Sequence, residues 1–174
     1  MISEANLSEY VRRIASGVSS GPLGLAWHRP SPTASFRHCF QNVRDQVKLG
    51  GGVSKYGWTF TVHSRPPVGD YLVLTHHAMW HAPDGHLTDI TPYPDPKYRP
   101  LGPEGSILFL VDERALPVGV PLALAPLPLK FFALSDDPAL AQYVAKLGDD
   151  EQAKCAELYA GLPNPSTPDS QPKT

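Results

Sequence analysis

Cys39, His77 and Asp89 are the residues of this chain whose types could together make a reactive thiol. Cys39 falls in the first turn or so of a helix if Ser35 is its cap. The partial positive charge at a helix N-terminus favours the thiolate, the form of cysteine that acts as a nucleophile. The same position also suits a small buried apolar residue beside Phe36, Phe40 and Val43. His76 and His77 are adjacent in a stretch that reads as a strand, so they point to opposite faces and at most one can serve a given site. His76 alternates with Leu72, Leu74, Ala78 and Trp80, whereas His77 shares its side with Tyr71, Val73, Thr75 and Met79. A base needs the more polar wall, which favours His77. Asp89 interrupts Leu87-Thr88-Asp89-Ile90-Thr91, and strands deplete aspartate, so its presence wants a reason. A three-residue or bulged loop would set Asp89 across from Met79 and diagonal to His77, close enough to orient an imidazole. A two-residue turn at Asp84-Gly85 would set it across from Trp80 and aim it away.

These residues must be held by a small set of elements. Asn6 or Ser8 caps a first helix with Leu7, Tyr10, Val11 and Ile14 at helical spacing, ending near Gly17. Residues 17–32 read as loop, rich in Gly, Pro and Ser. A second helix starts near Thr33 or Ser35, carries Phe36, Phe40, Val43 and Val47 on one face, and stops at Gly50-Gly51-Gly52. Strands follow at Tyr56 to His63, Tyr71 to Trp80 and Leu87 to Thr91, the last two joined by a tight hairpin at Asp84-Gly85. Residues 92–105 form a Pro- and Tyr-rich loop, Ile107 to Val111 a short strand, and 116–134 Pro-punctuated edge strands or extended chain over the core. Asp136 or Asp137, with Pro138, begins a final helix running to about Ala160, open to interruption at Gly148-Asp149-Asp150. One α+β domain over residues 1–160 and a disordered tail over 161–174 are the expectation.

Composition narrows the class. A net charge of −2 without a Lys/Arg cluster argues against nucleic acid or an anionic membrane as partner. The N-terminus lacks the pattern of a secretory signal, and charges and prolines break the most apolar stretch, so no membrane span is expected. Two cysteines do not make a disulfide scaffold and suit a reducing cytoplasm.

A cysteine at a helix start, then a glycine turn and strand, then His and Asp on an adjacent hairpin resembles the order of papain-like and, more closely, transglutaminase-like enzymes. The His77-Ala78-Met79-Trp80 strand is similar to that family's His-Ala-Trp, with Met79 inserted, and Asp89-Ile90-Thr91-Pro92 to its Asp-Pro-Thr. The chain also resembles small bacterial proteins with a Cys-x-x-Asn helix, a Gly-Trp strand and a His-x-x-Trp…Asp-x-Thr-Pro hairpin, here Cys39/Asn42, Gly57-Trp58, His77/Trp80 and Asp89/Thr91/Pro92. The resemblance covers about residues 35–95. It implies an antiparallel sheet packed against an N-terminal helix bearing Cys39, with Cys39 as nucleophile, His77 as general base and Asp89 as the orienting carboxylate. It also implies an oxyanion hole from the Cys39 backbone N–H and one further donor, with Asn42 or Gln41 as possible side-chain amides. Trp58 and Trp80 read as core residues, either of which could instead wall an acyl pocket. The substrate class would be a peptide, a protein side chain or a small amide, with no cofactor. Two rival expectations stand beside it. One is a metal site from His63, His77, His81, His86 and Asp89, although neither HExxH nor CxxC occurs. The other is a non-catalytic binding module, marked by an inert Cys39.

Overall fold

The computed structural model describes residues 4–120 and 123–162, and the tail expected to be disordered lies outside them from residue 163 onward. Helix α1, Glu4–Val18, buries Val11, Ile14 and Ala15 at the expected helical spacing. Strand β1 covers Leu23–His28, inside the stretch read as loop. Helix α2 is Cys39–Gly50. Strands β2, Val53–Arg65, and β3, Gly69–His81, form one long hairpin. Then come β4, Leu87–Asp89, a 3-10 turn at Pro96–Tyr98, and β5, Ser106–Val111. The proline-rich segment supplies β6, Val118–Val120, β7, Ala123–Ala125, and β8, Lys130–Ala133. Helix α3, Pro138–Ala160, completes the α+β fold.

The sheet is mixed rather than antiparallel. Its strand order is β2-β5-β1-β4-β3-β8, and β2 also pairs with β3, so five of the strands close into a ring. Among the described residues, one ladder is parallel and joins β1 to β4, with His28 opposite Asp89, while β1 runs antiparallel to β5. Nothing in the Leu23–His28 stretch alternates cleanly between buried and exposed positions. It becomes a strand because β4 and β5 offer it an edge on both sides, a tertiary cause that local pattern does not carry.

Closing the ring sorts side chains by parity. Ala26, Met79, Ile107 and Phe109 pack together inside. Gly57 is opposite both His77 and Val111. A Cβ there would sit 2.0 Å from the Leu110 carbonyl oxygen and 2.9 Å from the Phe109 ring, so only glycine fits so narrow an interior. The alternate positions face outward: Trp58, Phe60, Leu72, Leu74 and Leu110 receive α1, and Tyr56, Ala78 and Trp80 receive α2. Cys39 is therefore carried by the second helix, and the N-terminal helix covers a different part of the same wall.

The start of α2 differs from the expected cap. Asn42 holds Ser35 at both ends, accepting from its N–H at 3.0 Å and donating to its carbonyl at 2.8 Å. That pulls residues 35–38 into a turn, with Arg37 at a φ of 65°, and the helix begins at Cys39. At the other end Gly51, at a φ of 70°, donates back to Val47 and stops the helix as expected. Asp137 caps α3 by accepting from the Ala139 N–H at 2.8 Å. The helix runs unbroken through Gly148, whose cost of about 1 kcal/mol is small against a helix held by its packing.

Candidate active site

The β3–β4 turn decides where Asp89 points. Trp80 pairs with Thr88 and His81 with Leu87, and the Ala82 N–H donates to the His86 carbonyl, leaving residues 83–85 as a three-residue loop. Continuing that register sets Asp89 against Met79, on the inward face that also carries His77 and His28. Along the same edge of β3, β4 covers residues 80–81 and β8 covers 71–74. Among the described residues, no strand pairs with the interval between them. His77 lies in that gap, and the head of α2 meets it there.

His77 and Asp89 are both buried, at 5% and 0% exposure, with His77 Nε2 3.1 Å from Asp89 Oδ1. The ring nitrogen lies off the line of a directed hydrogen bond, so the contact is an ion pair first. The carboxylate is fully used: Oδ1 also accepts from the Thr91 N–H at 2.9 Å, and Oδ2 accepts from the Tyr93 hydroxyl at 2.7 Å. Burial alone would discourage the charge on His77, but the Asp89 carboxylate and the Cys39 sulfur beside it hold the imidazole well above its ordinary range. Burial likewise works against the Asp89 carboxylate, and His77, Thr91 and Tyr93 together overcome it and keep it low. The pair is a buried imidazolium–carboxylate, and Cys39 is in contact with its cationic half.

His76 does different work. It is buried on the outer face, with Nε2 donating to the Ala115 carbonyl at 2.7 Å and Nδ1 accepting from the Leu127 N–H at 2.8 Å. Those two bonds fix its tautomer and stitch the proline-rich segment to the ring. Burial drives its pKa down to about 4, with a smaller push from His77, while the Ala115 carbonyl and Asp112 pull the other way without prevailing. It stays neutral.

A cleft of about 650 Å³ opens on Cys39 and His77. Gln41 lines it, and its side chain is engaged by Asp45 and Arg44 along the helix surface. Asn42 does not line it. Besides holding Ser35, its amide donates to Thr91 Oγ1 at 3.3 Å, which ties α2 to the turn that carries Asp89. Neither tryptophan reaches the cleft. Trp58 donates to Asp112 Oδ2 at 3.1 Å within the outer core, and Trp80 donates to the Gly51 carbonyl at 2.9 Å under the end of α2. Of the other histidines, His86 stacks on Trp27 and His63 on Tyr71. Among the described residues, no group of three or more His, Cys, Asp or Glu side chains is gathered as metal ligands would be.

Tyr93 joins the site from residues 92–105, where the sequence predicts only a Pro- and Tyr-rich loop. A signal existed: Asp89-x-Thr91 is the pattern of an aspartate turning back on the N–H two residues on, which aims the carboxylate's other oxygen past the strand end. Phe36 and Tyr98 at the cleft mouth had no such signal, and Arg37 lies over both their rings. Tyr93→Phe is expected to lower stability by about 1–2 kcal/mol in urea unfolding, the cost of removing a hydrogen bond to a buried charge. An unchanged midpoint would show that Asp89 does not need the hydroxyl.

Comparison of the chain with known protein families, with curated proteins and with solved structures finds no match.

Proposed function

We propose that this protein is a thiol-dependent hydrolase or acyl transferase that acts on an amide or glutamine carboxamide through Cys39, His77 and Asp89, on a core of papain-like or transglutaminase-like kind. One observation carries the reading. A cysteine opening a helix, a histidine in a strand gap and an aspartate past a hairpin, far apart in the chain, converge as a thiol beside a buried ion pair on the wall of a cleft. Structural ion pairs have no need of a sulfur or a cavity.

The chemistry follows from the placement. Cys39 Sγ adds to the carbonyl carbon, and the developing oxyanion is met by N–H groups of the first turn of α2. These have no partner within the helix, and no side chain caps them. The C–N bond then breaks as His77 gives its proton to the leaving nitrogen, so amine or ammonia departs and an acyl thioester remains. His77, now neutral, takes a proton from water or from an acceptor amine as that nucleophile attacks the thioester. The Sγ–C bond breaks, the acyl group departs as the acid or the new amide, and the sulfur and the protonated His77 return to their starting state. Asp89 stabilises the imidazolium and keeps its orientation throughout. No helix among the described residues is long and apolar enough to cross a membrane. Both cysteines are free, as in a reducing compartment such as the cytoplasm.

Competition between the two thiols tests the reading. Burial pushes the Cys155 thiol up, with Glu151 adding to it and only Tyr159 and Lys154 opposing. Iodoacetamide near neutral pH, followed by peptide mapping, should modify Cys39 at least tenfold faster than Cys155. The reverse order would defeat the enzyme reading and leave a binding module on this fold.

A further inference from the structure

The cleft runs on well past the reacting atoms. Tyr71 and His77 both line it, and the six residue steps from one to the other along β3 span about 20 Å. Its floor there is the inward face of the β2–β3 hairpin, from Thr59 at the rim of the ring to Thr61 and Val73 beyond it, with Phe131 of β8 beside them. Leu127, Leu129 and Leu147 form the walls. Two polar groups of this stretch are engaged internally: the Thr59 hydroxyl donates to the Thr75 carbonyl at 3.4 Å, and Glu151 accepts from the Leu129 N–H at 3.3 Å, while Thr61, Thr75 and His63 also line it.

Resting on the thiol-enzyme reading, we propose that this groove holds an elongate alkyl chain, and that the acyl group transferred to Cys39 is a fatty acyl of about twelve to sixteen carbons. An extended peptide is the other linear occupant, and the groove suits it poorly. A peptide lying along β3 needs a free strand edge for its backbone, and the edge at residues 71–74 is taken by β8. Its N–H and C=O groups would otherwise lie unpaired against valine, leucine and phenylalanine. An alkyl chain has no such groups. With C–C bonds of about 1.5 Å at about 111° it advances roughly 1.25 Å per carbon, so about sixteen carbons fill the length. The carbonyl then lies at Cys39 and the amine leaves toward the mouth, past Phe36, Arg37 and Tyr98.

Chain-graded alkylating reagents test this on the full protein. Second-order rates at each cysteine are measured by peptide mapping with iodoacetamide, N-butyl iodoacetamide and N-decyl iodoacetamide, all below micellar concentrations. At Cys39 the decyl reagent should exceed iodoacetamide by at least fiftyfold, with butyl between them, well under the ceiling of about fourfold per buried methylene. At Cys155 the three should agree within a few-fold. Leu147→Glu, which sets a charge in the wall, should cut the decyl-to-iodoacetamide ratio at Cys39 at least tenfold. A ratio near one at Cys39, with Cys39 still outpacing Cys155 toward iodoacetamide, overturns the alkyl groove and leaves the thiol chemistry standing. A ratio above fifty, with Cys39 no faster than Cys155 toward iodoacetamide, upholds the groove and removes the enzyme.

Discussion

His77→Ala is expected to slow the reaction of Cys39 with iodoacetamide at pH 6 on the order of a hundredfold. The imidazole in contact with the sulfur is held in its charged form by Asp89, and alanine removes that cation outright. Turnover of an amide would fall further, by about 10²–10⁴, because the leaving nitrogen loses its proton donor. Asp89→Asn keeps the shape but not the charge, so a partial loss is expected there. His76→Gln should leave the rate within a few-fold of the native protein, since His76 is neutral, faces outward and is committed to Ala115 and Leu127. His77→Ala also strands a buried carboxylate, at a cost of roughly 3–5 kcal/mol. Each rate is therefore read beside a circular-dichroism spectrum, and the Asp89→Asn result carries the test if His77→Ala is unfolded. Should His76→Gln alone slow Cys39, the working base would be on the outer wall of the ring and the proposed triad would fail.

The second large effect is on stability against acid. Unfolded, His76 takes up a proton around its ordinary 6.5, whereas folded it does so only at about 4. Between those values the unfolded chain binds more protons, so folding stability falls as pH falls, by about 3 kcal/mol in all. His77 has the opposite sign. Its folded value is raised, so its contribution is complete below 6.5 and is lost as pH rises through that folded value. Asp89 is lowered, so its share is complete above 3.8 and is lost only as pH falls through its own folded value. The ion pair is thus constant across the window in which His76 acts, and these three groups together set greatest stability near pH 6.5. Urea unfolding at pH 6.5 and pH 4.5 measures the slope. His76→Gln should be less stable at pH 6.5 by about 1–2 kcal/mol through imperfect replacement of its two hydrogen bonds, but nearly flat between the two pH values. A slope as steep as the native one would assign the acid response elsewhere.

What the sequence disclosed was mostly what local chemistry controls. The long hairpin, the glycine stop after α2 and the Asp137–Pro138 start of α3 are set by residues within a few positions of one another. The same holds for the alternation that separates His76 from His77. Cys39 at a helix start was also legible, although for a displaced cap. Phe36 falls in step with Phe40 and Val43, yet Asn42 binds Ser35 and ends the helix short of it, so Phe36 turns into the cleft instead. Strand β1, the ring it closes and the groove over β3 were illegible for a shared reason. Each exists only where distant segments meet, and the pattern of any one of them is ambiguous alone. Trp58 and Trp80 show the converse: a large aromatic near a motif is more often a prop for the scaffold than a wall of the site.

The position of β1 has a consequence for the ribosome. Strand β1 precedes Cys39 in the chain, but both its partners, β4 and β5, follow it, and β5 ends only at Val111. At about 5–20 residues per second, several seconds of synthesis separate the cysteine from the last strand that completes the ring. Through that interval the ring stays open, and the acyl chemistry proposed for the finished site is not expected of a chain still being made.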